Sequence, residues 1–307
     1  MNTQHLKYAV EIEKCGSISQ AAEKLFMGQP TLSKTIKELE AQLGFELFVR
    51  TPTGVLPTPL GEEFLVHAKN ILSQAAMIEA IPHSGQEQCL TVNIAAPRAS
   101  YIADTFLEFL KTLDRTKKIR MNYKETNTMR ALNKLSVGEY QIAIIRYQTE
   151  YEGYFSDYLR RHDFKIQPLL EYRALATMSE KHPLAGKKRL TYADFGEYVE
   201  LRHGDETVPY FADSDPLQTA ERRIYIYERA SQFEILSEMP DTFMWASPVP
   251  KSILKRYGLV QIECAAPKND YKDVLVSLKH YQYTETERAF IGALKKTAER
   301  LGTHAEL

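Results

Sequence analysis

Hydrogen-bonding and cationic side chains recur at helical spacing in the segment SISQAAEKLFMGQPTLSKTIKELEAQLG (17–44). On a helical wheel, the outward stripe holds Pro30, Ser33, Lys34, Lys37 and Ala41, and the opposite, apolar stripe holds Leu32, Ile36, Leu39 and Leu43. Glu38 and Glu40 fall to the two sides. Such a surface can enter a DNA major groove, where Gln29 reaches an adenine edge and Ser33 or Lys34 reaches other bases or phosphates. A helix whose polar side only faces water explains this stretch alone equally well.

The neighbouring segments predict a winged helix-turn-helix over residues 1–60. A first helix near 3–14 is followed by a short helix that Ser19 can cap and that runs to about Leu25. Met27 and Gly28 form the turn, and Gly44 ends the next helix. The stretch FELFVRTPTGVLPTPLG (45–61) predicts a wing, with a strand, a Thr-Gly turn at 53–54 and a return strand.

The stretches GSISQAAEKLFMGQPTLSKTIKELEAQLGFELFVR and TPLGEEFL resemble the LysR-type transcriptional regulators. The resemblance covers about the first 65 residues tightly and the rest loosely. It implies operator binding, and the predicted DNA-binding residues are Ser19, Gln29, Pro30, Thr31, Ser33, Lys34, Lys37 and Arg50. Gly28 stands where the family often has a capping Ser or Thr. The wing tip TPTGVLP lacks the arginines that many relatives have, which leaves minor-groove reading by the wing open.

Residues 58–81 predict a long linker helix, with Thr58 as its cap and Pro59 in its first position. An apolar seam recurs in steps of four and three at Phe64, Ala68, Ile71, Ala75 and Ile78. The seam can pack on its own domain or pair with a second copy. The resemblance favours pairing and implies a homodimer or homotetramer. The segment IPHSGQEQ loses all periodicity and predicts a hinge at 82–88.

From Cys89 onward, short apolar runs alternate with helical stretches, which predicts an α/β fold. Strands are expected at 90–95, 119–123, 141–146, 169–178, 198–202, 223–227, 243–247, 259–263 and 274–278. Thr284 and Glu287 predict a capping box on the last helix, and Gly302 its stop. The resemblance implies a two-lobed, periplasmic-binding-protein-like (type II) effector domain over 89–307. Lobe I is expected at 89–165 and 265–307, and lobe II at 166–264.

A small-molecule effector is expected in the cleft between the lobes. The predicted effector-binding residues are Pro97, Arg98, Ser100, Asn127, Thr128, Arg146, Leu201, Arg202 and His203. The hydroxyls of Ser100 and Thr128 can equally serve as helix caps, and Arg146 can equally bridge the lobes. Three arginines near two helix N-termini favour a small organic anion. Trp245 can narrow the cleft or fill the core of lobe II, and the core is favoured.

The missing catalytic motifs argue against an enzyme, whereas the net charge argues weakly against a nucleic-acid partner. The net charge is −1, so any DNA contact must come from a local patch. The motifs HExxH, GxSxG, GxxxxGK[ST] and GxGxxG are missing, so no catalytic residue, cofactor or metal is expected. The three cysteines are sparse, and there is neither a signal-peptide pattern nor a long apolar run. We therefore expect a cytoplasmic protein rather than an exported solute-binding protein of the same cleft fold. The expected partners are double-stranded operator DNA, the effector and a second copy, with RNA polymerase as a further candidate.

Overall fold

The computed structural model describes residues 2–52, 54–79, 89–205, 220–265 and 270–302. By their contacts the residues form two units, which are 1–86 with 136–139, and 87–135 with 140–307. The predicted hinge at 82–88 lies outside the described residues. Among the described helices, none has the length and apolar composition that crossing a membrane requires.

The first unit is a winged helix-turn-helix followed by a long helix, as predicted. Its elements are α1 (Thr3–Cys15), α2 (Ile18–Lys24), α3 (Gln29–Leu43), β1 (Phe48–Thr51), β2 (Gly54–Pro57) and α4 (Pro59–Glu79). The cap of α2 is Ser17 and not Ser19, because the Ser17 hydroxyl accepts a hydrogen bond from the Gln20 amide at 3.4 Å. Ser19 instead lies inside the first turn of α2 and is exposed.

The three short helices meet at small and branched side chains. Ala21 and Ala22 on α2 are buried, which allows α1 and α3 to approach this helix closely. The predicted apolar stripe of α3 faces the same core, with Leu32, Ile36 and Leu39 buried and Leu43 half-buried. The amphipathic pattern therefore predicted correctly which side of α3 packs inward.

The wing is an antiparallel hairpin of β1 and β2. A Cβ atom on Gly54 would lie 2.5 Å from the carbonyl oxygen of Gly16, and Gly54 has φ +139°. Only glycine fits this position, because the next amide, that of Val55, donates to the same oxygen at 2.8 Å. On the other side, the Glu40 carboxylate accepts from the backbone amide of Leu47 at 2.8 Å. Glu40 thus anchors the wing to α3.

Helix α4 begins as predicted, because the Thr58 hydroxyl accepts from the Gly61 amide at 2.9 Å. The predicted seam, however, divides into two. Ala68 is only 1% exposed and faces the core of its own unit together with Leu65, so Ala68 is not available to a second copy. Ile71 and Ile78 are 43% and 66% exposed. On the helical wheel, Ala68 lies about 60° from Ile71 and about 80° from Ile78, so the core of the unit covers Ala68 and leaves the other two exposed.

The second unit holds two five-stranded sheets with helices around them. Its elements in chain order are β3 (Cys89–Ala96), α5 (Ser100–Lys111), β4 (Lys118–Glu125), α6 (Thr128–Ser136), β5 (Ile142–Gln148), α7 (Glu152–Arg161), β6 (Phe164–Arg173), β7 (Leu175–Ser179), β8 (Leu190–Thr191), β9 (Val199–His203), β10 (Arg222–Ile226), α8 (Arg229–Glu238), β11 (Thr242–Ala246), α9 (Lys251–Tyr257), β12 (Leu259–Ile262), β13 (Cys264–Ala265), β14 (Asp270–Leu278) and α10 (Glu285–Gly302).

Each lobe is built on one of these sheets. Lobe I has the strand order β4-β3-β5-β14-β6, and lobe II has the order β10-β9-β11-β7-β12. In lobe I, β3 pairs in parallel with both β4 and β5, so the carboxyl ends of these three strands open on the same side. In lobe II, β9 pairs in parallel with β10 and β11. A ligand site is favoured at such strand ends.

The strand predicted over 169–178 is two strands in two different sheets. Strand β6 pairs with β14 of lobe I up to Arg173, and β7 belongs to the sheet of lobe II. The chain therefore enters lobe II after Arg173, and not at the predicted boundary of 165/166. A run of alternating apolar residues indicates strand conformation, but it carries no information about which partner strand each half selects.

The last helix, α10, begins with the predicted capping box. The Thr284 hydroxyl accepts from the Glu287 amide at 3.2 Å, and the Glu287 carboxylate accepts from the Thr284 amide at 2.8 Å. Burial raises the pKa of Glu287 above its ordinary value, against the hydrogen bonds that stabilise its charge. Gly302, predicted as the stop, is still helical and is the last described residue.

Candidate functional sites

The exposed side of α3 presents most of the residues predicted to contact DNA. A shallow depression on this helix is lined by Gln29, Pro30, Ser33, Lys34, Lys37, Glu38 and Ala41. The N-cap of helix α3 is Gly28, which has no side chain to cap the helix. The amides of its first turn are therefore open to an external acceptor such as a phosphate.

Glu38 lies on this same surface, although the wheel placed it to one side. Its carboxylate is 3.8 Å from the Lys34 ammonium, and both side chains are more than half exposed. An exposed pair of this kind contributes little to stability and separates easily. The surface of α3 therefore carries two cations and one anion, and the acid adds an acceptor that can receive a cytosine amino group.

The wing brings one further cation to this surface. The Arg50 guanidinium lies 3.5 Å from the Ser33 hydroxyl, which joins β1 to the exposed side of α3. Val49 and Leu56 are opposite each other across the hairpin and are 41% and 53% exposed. Thr31 and Ser19 are exposed as well, but neither lines the depression. The structure thus brings Arg50 together with the residues that line the depression on α3, whereas Thr31 and Ser19 lie outside it.

A cavity of about 70 Å³ lies between the lobes of the second unit. Its lining includes six of the nine predicted effector-binding residues, which are Arg98, Ser100, Arg146, Leu201, Arg202 and His203. The volume is several times the 10–15 Å³ or so that one water needs, which suits a ligand of a few non-hydrogen atoms.

Three predicted residues do not line the cavity. Pro97 is buried. Asn127 caps α6 by accepting from the Arg130 amide, and its side-chain amide donates to the Asp205 carbonyl of lobe II at 2.8 Å. The Thr128 hydroxyl donates to the carbonyl of Arg146 at 2.6 Å and accepts from its amide at 3.1 Å. Asn127 and Thr128 therefore hold backbone in place, because their polar atoms are already used.

Arg98 joins lobe I to lobe II through a two-pronged ion pair. Its terminal nitrogens lie 2.7 and 3.2 Å from the two carboxylate oxygens of Asp205, and the side chains are 8% and 11% exposed. Arg130 approaches the same carboxylate at 3.4 Å but is 65% exposed. Burial alone would raise the pKa of Asp205, but the hydrogen bond and charge of Arg98 outweigh burial, so the pKa is lowered.

Arg146 is paired within lobe I and does not bridge the lobes. Its Nε and Nη2 atoms both lie 2.8 Å from the carboxylate oxygens of the buried Asp273 on β14. Tyr101 donates to the same carboxylate at 2.7 Å, and the guanidinium lies 5.2 Å from the ring centre of Tyr172. Burial lowers the pKa of Arg146, but the charge of Asp273 more than offsets burial and raises it.

Arg202 is the third arginine of the predicted anion site, and it also has an acidic neighbour. The Glu200 carboxylate, 1% exposed, lies 3.7 Å from Arg202 and 3.2 Å from Arg223. Each of the three arginines predicted to attract an anion therefore already has a carboxylate partner. The pairs of Arg98 with Asp205 and of Arg146 with Asp273 connect residues far apart in the sequence, and local sequence patterns do not reveal them, whereas Glu200 lies only two residues before Arg202.

Several lining residues were not singled out from the sequence as ligand contacts. Gln232 on α8 is 4% exposed and points its side chain into the lining, where its Oε1 atom has no partner among the described residues. Ser247 and Tyr271 also line the cavity. Trp245 does so while packing against Phe195 at 5.2 Å between ring centres, so it belongs to both core and cleft. One signal could have revealed Gln232, because Ile235 and Leu236 follow it at the helical spacing of three and four residues and place it on an apolar face.

The described residues contain no group of three or more His, Cys, Asp or Glu side chains that could hold a metal ion. The cavity of the second unit offers hydrogen-bonding groups and ion pairs, and the first unit offers the exposed polar side of α3.

Residues 3–62 match the family described as bacterial regulatory helix-turn-helix protein, lysR family. The nitrogen assimilation regulatory protein nac of Klebsiella aerogenes is 32% identical over 168 residues, which are 54% of this chain and 55% of that protein. The chain thus spans about half the length of this curated relative.

Solved structures share the fold over almost the whole chain. Full-length OxyR from Pseudomonas aeruginosa, solved as a single-substitution variant, has a TM-score of 0.60 at 19% identity and covers 97% of this chain and 95% of that chain. LysG from Corynebacterium glutamicum, solved with bound effector Arg, has a TM-score of 0.59 at 17% identity and covers 98% and 99%.

Proposed function

Because the chain belongs to the LysR-type family of bacterial regulators, we propose that it is a sequence-specific, DNA-binding transcriptional regulator and not an enzyme. A small molecule bound between the lobes of its second unit controls operator binding or activation. The observation that carries the proposal is the exposed side of α3, where Gln29, Ser33, Lys34 and Lys37 stand together with Arg50. Amides, hydroxyls and cations are the groups that read base edges and phosphates.

The first test is selection of the operator from a randomised duplex library. We expect an imperfect palindrome whose half-sites lie about 10 base pairs, or a multiple, apart. Lys34→Ala should weaken binding to the selected duplex by about 1–3 kcal/mol if Lys34 reads a base. If Lys34 contacts only phosphate, all duplexes weaken alike and the salt dependence falls. Lys7→Ala, an exposed lysine on α1, is the matched control. Equal affinities for wild type and Lys34→Ala would remove Lys34 from the interface.

The effector proposed for the cavity is a small organic anion. Among the described residues, the lining of the cavity holds three arginines, Arg98, Arg146 and Arg202, and one acid, Glu200, whereas Asp205 and Asp273 pair with two of these arginines from outside the lining. The arginine bound in LysG supports a small molecule as the ligand class. Thermal shift with propanoate and its neutral amide, propanamide, tests the charge. Equal stabilisation by the two compounds would contradict an anionic effector.

The oligomer proposed is a homodimer or a homotetramer, formed through the outer side of α4. Ile71 and Ile78 leave apolar surface exposed on this helix, whereas Leu65 and Ala68 are covered by their own unit. A second copy that covers this surface would place two α3 helices on a two-fold operator. The proposed location is the cytoplasm, where operator DNA lies, and RNA polymerase is the further proposed partner. A monomeric mass by light scattering at micromolar concentration would contradict the dimer.

A further inference from the structure

Gln232 lines the cavity with a buried side-chain carbonyl oxygen that has no partner among the described residues. It lies in the first turns of α8, is 4% exposed, and lines the cavity from the lobe II side. Its Oε1 atom accepts no hydrogen bond from the described part of the chain. A buried carbonyl oxygen without a donor is costly, so such an atom in a ligand cavity points to a donor supplied from outside.

Two arginines of the lining donate to carboxylates and not to Gln232. The Arg98 guanidinium donates to Asp205, and that of Arg146 donates to Asp273. Two neutral hydroxyls of the lining, those of Ser100 in lobe I and Ser247 in lobe II, are almost fully buried. A hydroxyl can both donate and accept, whereas Oε1 can only accept. Compared with these hydroxyls, Gln232 Oε1 therefore restricts the ligand more, because only a ligand group that donates a hydrogen bond can satisfy it.

We propose that Gln232 is a specificity-determining residue, and that the effector is a small acid that also carries an amino or hydroxyl donor for Gln232 Oε1. The inference rests on the proposed effector function of the cavity. An acid that lacks the donor would fill the same space but leave Oε1 unsatisfied. A site built around a ligand donor rejects the analogue that lacks it, because its own polar atom remains buried and unpaired.

The test uses pairs of acids that differ by one donor, measured by calorimetry on the full chain. The pairs are alanine and propanoate, glutamate and glutarate, and lactate and pyruvate. In at least one pair, the donor-bearing acid should bind wild type about ten- to a hundred-fold more tightly than its mate, since an unsatisfied buried acceptor costs on that order. Gln232→Met, similar in volume and without the acceptor, should bring the two acids of that pair within about two-fold.

Two further variants separate recognition from damage to the fold. Gln232→Glu keeps an acceptor oxygen and adds a negative charge, so it should retain the preference for an ammonium-bearing acid. Gln167→Met makes the same replacement in lobe I, where the side chain pairs with Tyr283 and Lys295, outside the cavity lining, and should keep the wild-type preference. Circular dichroism checks that each variant is folded.

Three outcomes would count against the proposal in different ways. Equal binding of the two acids of every pair to wild type overturns the demand for a donor. A preference that survives in folded Gln232→Met shows that another group accepts the donor and overturns the role of Gln232. Failure of every acid to bind wild type instead refutes an anionic effector in this cavity, and the inference that rests on it.

Discussion

Removing either partner of the ion pair between Arg98 and Asp205 should loosen lobe I from lobe II. Both side chains are about nine-tenths covered, and the guanidinium contacts the two carboxylate oxygens at 2.7 and 3.2 Å. Breaking a pair this deeply buried leaves one charge without compensation, which costs about 3–5 kcal/mol. Asp205→Asn should fall near the lower end, about 3 kcal/mol, because asparagine keeps one oxygen as an acceptor.

Because Arg130 also approaches Asp205, we expect Arg98→Met and Asp205→Asn to lower the free energy of unfolding by different amounts. In Arg98→Met the Asp205 carboxylate still has Arg130 at 3.4 Å, so this variant should cost about 2 kcal/mol. The double variant should cost little more than Asp205→Asn alone. These values give a coupling energy of about 2 kcal/mol, within the range for residues in direct contact. Arg130→Met is the matched control, because Arg130 is 65% exposed and should contribute less than about 1 kcal/mol.

Urea unfolding followed by tryptophan fluorescence provides the measurement. Trp245 is the only tryptophan of the chain and lies in lobe II, so its signal reports the second unit without interference from the first. Because the folded pKa of Asp205 is depressed, its contribution to stability is present above the unfolded pKa of about 4 and is lost as the pH falls through the folded pKa. A coupling energy below about 0.5 kcal/mol at pH 7 would refute the reasoning.

Three further predictions concern the first unit. Ala68→Glu should unfold the first unit, as measured by circular dichroism, because the charge enters a core position. Ile71→Glu should leave the first unit folded and lower the mass measured by light scattering. The reverse pattern would contradict the division of α4 into a buried and an exposed side. Phe26 has φ +53° and is 95% exposed, so Phe26→Asn should raise the free energy of unfolding by about 1 kcal/mol in urea, and a loss of stability would show that the ring packs. Gly61→Ala should lower the free energy of unfolding by about 1–3 kcal/mol, because the alanine Cβ would lie 2.0 Å from the Leu47 carbonyl oxygen. Unchanged stability would show that the backbone shifts to accommodate the methyl group.

Local patterns in the sequence determined most of the secondary structure and the exposed side of α3. The stripe of Leu32, Ile36 and Leu39, the cap at Thr58 and the capping box of Thr284 with Glu287 all form as predicted. Each depends on groups no more than seven residues apart, and the helix geometry itself brings such groups together. The placement of the DNA-binding candidates follows from the same periodicity.

Tertiary structure alone decided which of these residues are available to a partner. Ala68 and Ile71 are both apolar positions of α4, and only the packing of the unit shows that one is covered and the other exposed. Likewise, the sequence does not show the acidic partners of two arginines, because Arg98 lies 107 residues from Asp205, and Arg146 lies 127 residues from Asp273. A charge's partner, and hence what a ligand can still bind, depends on contacts between distant segments, and no local spacing specifies those contacts.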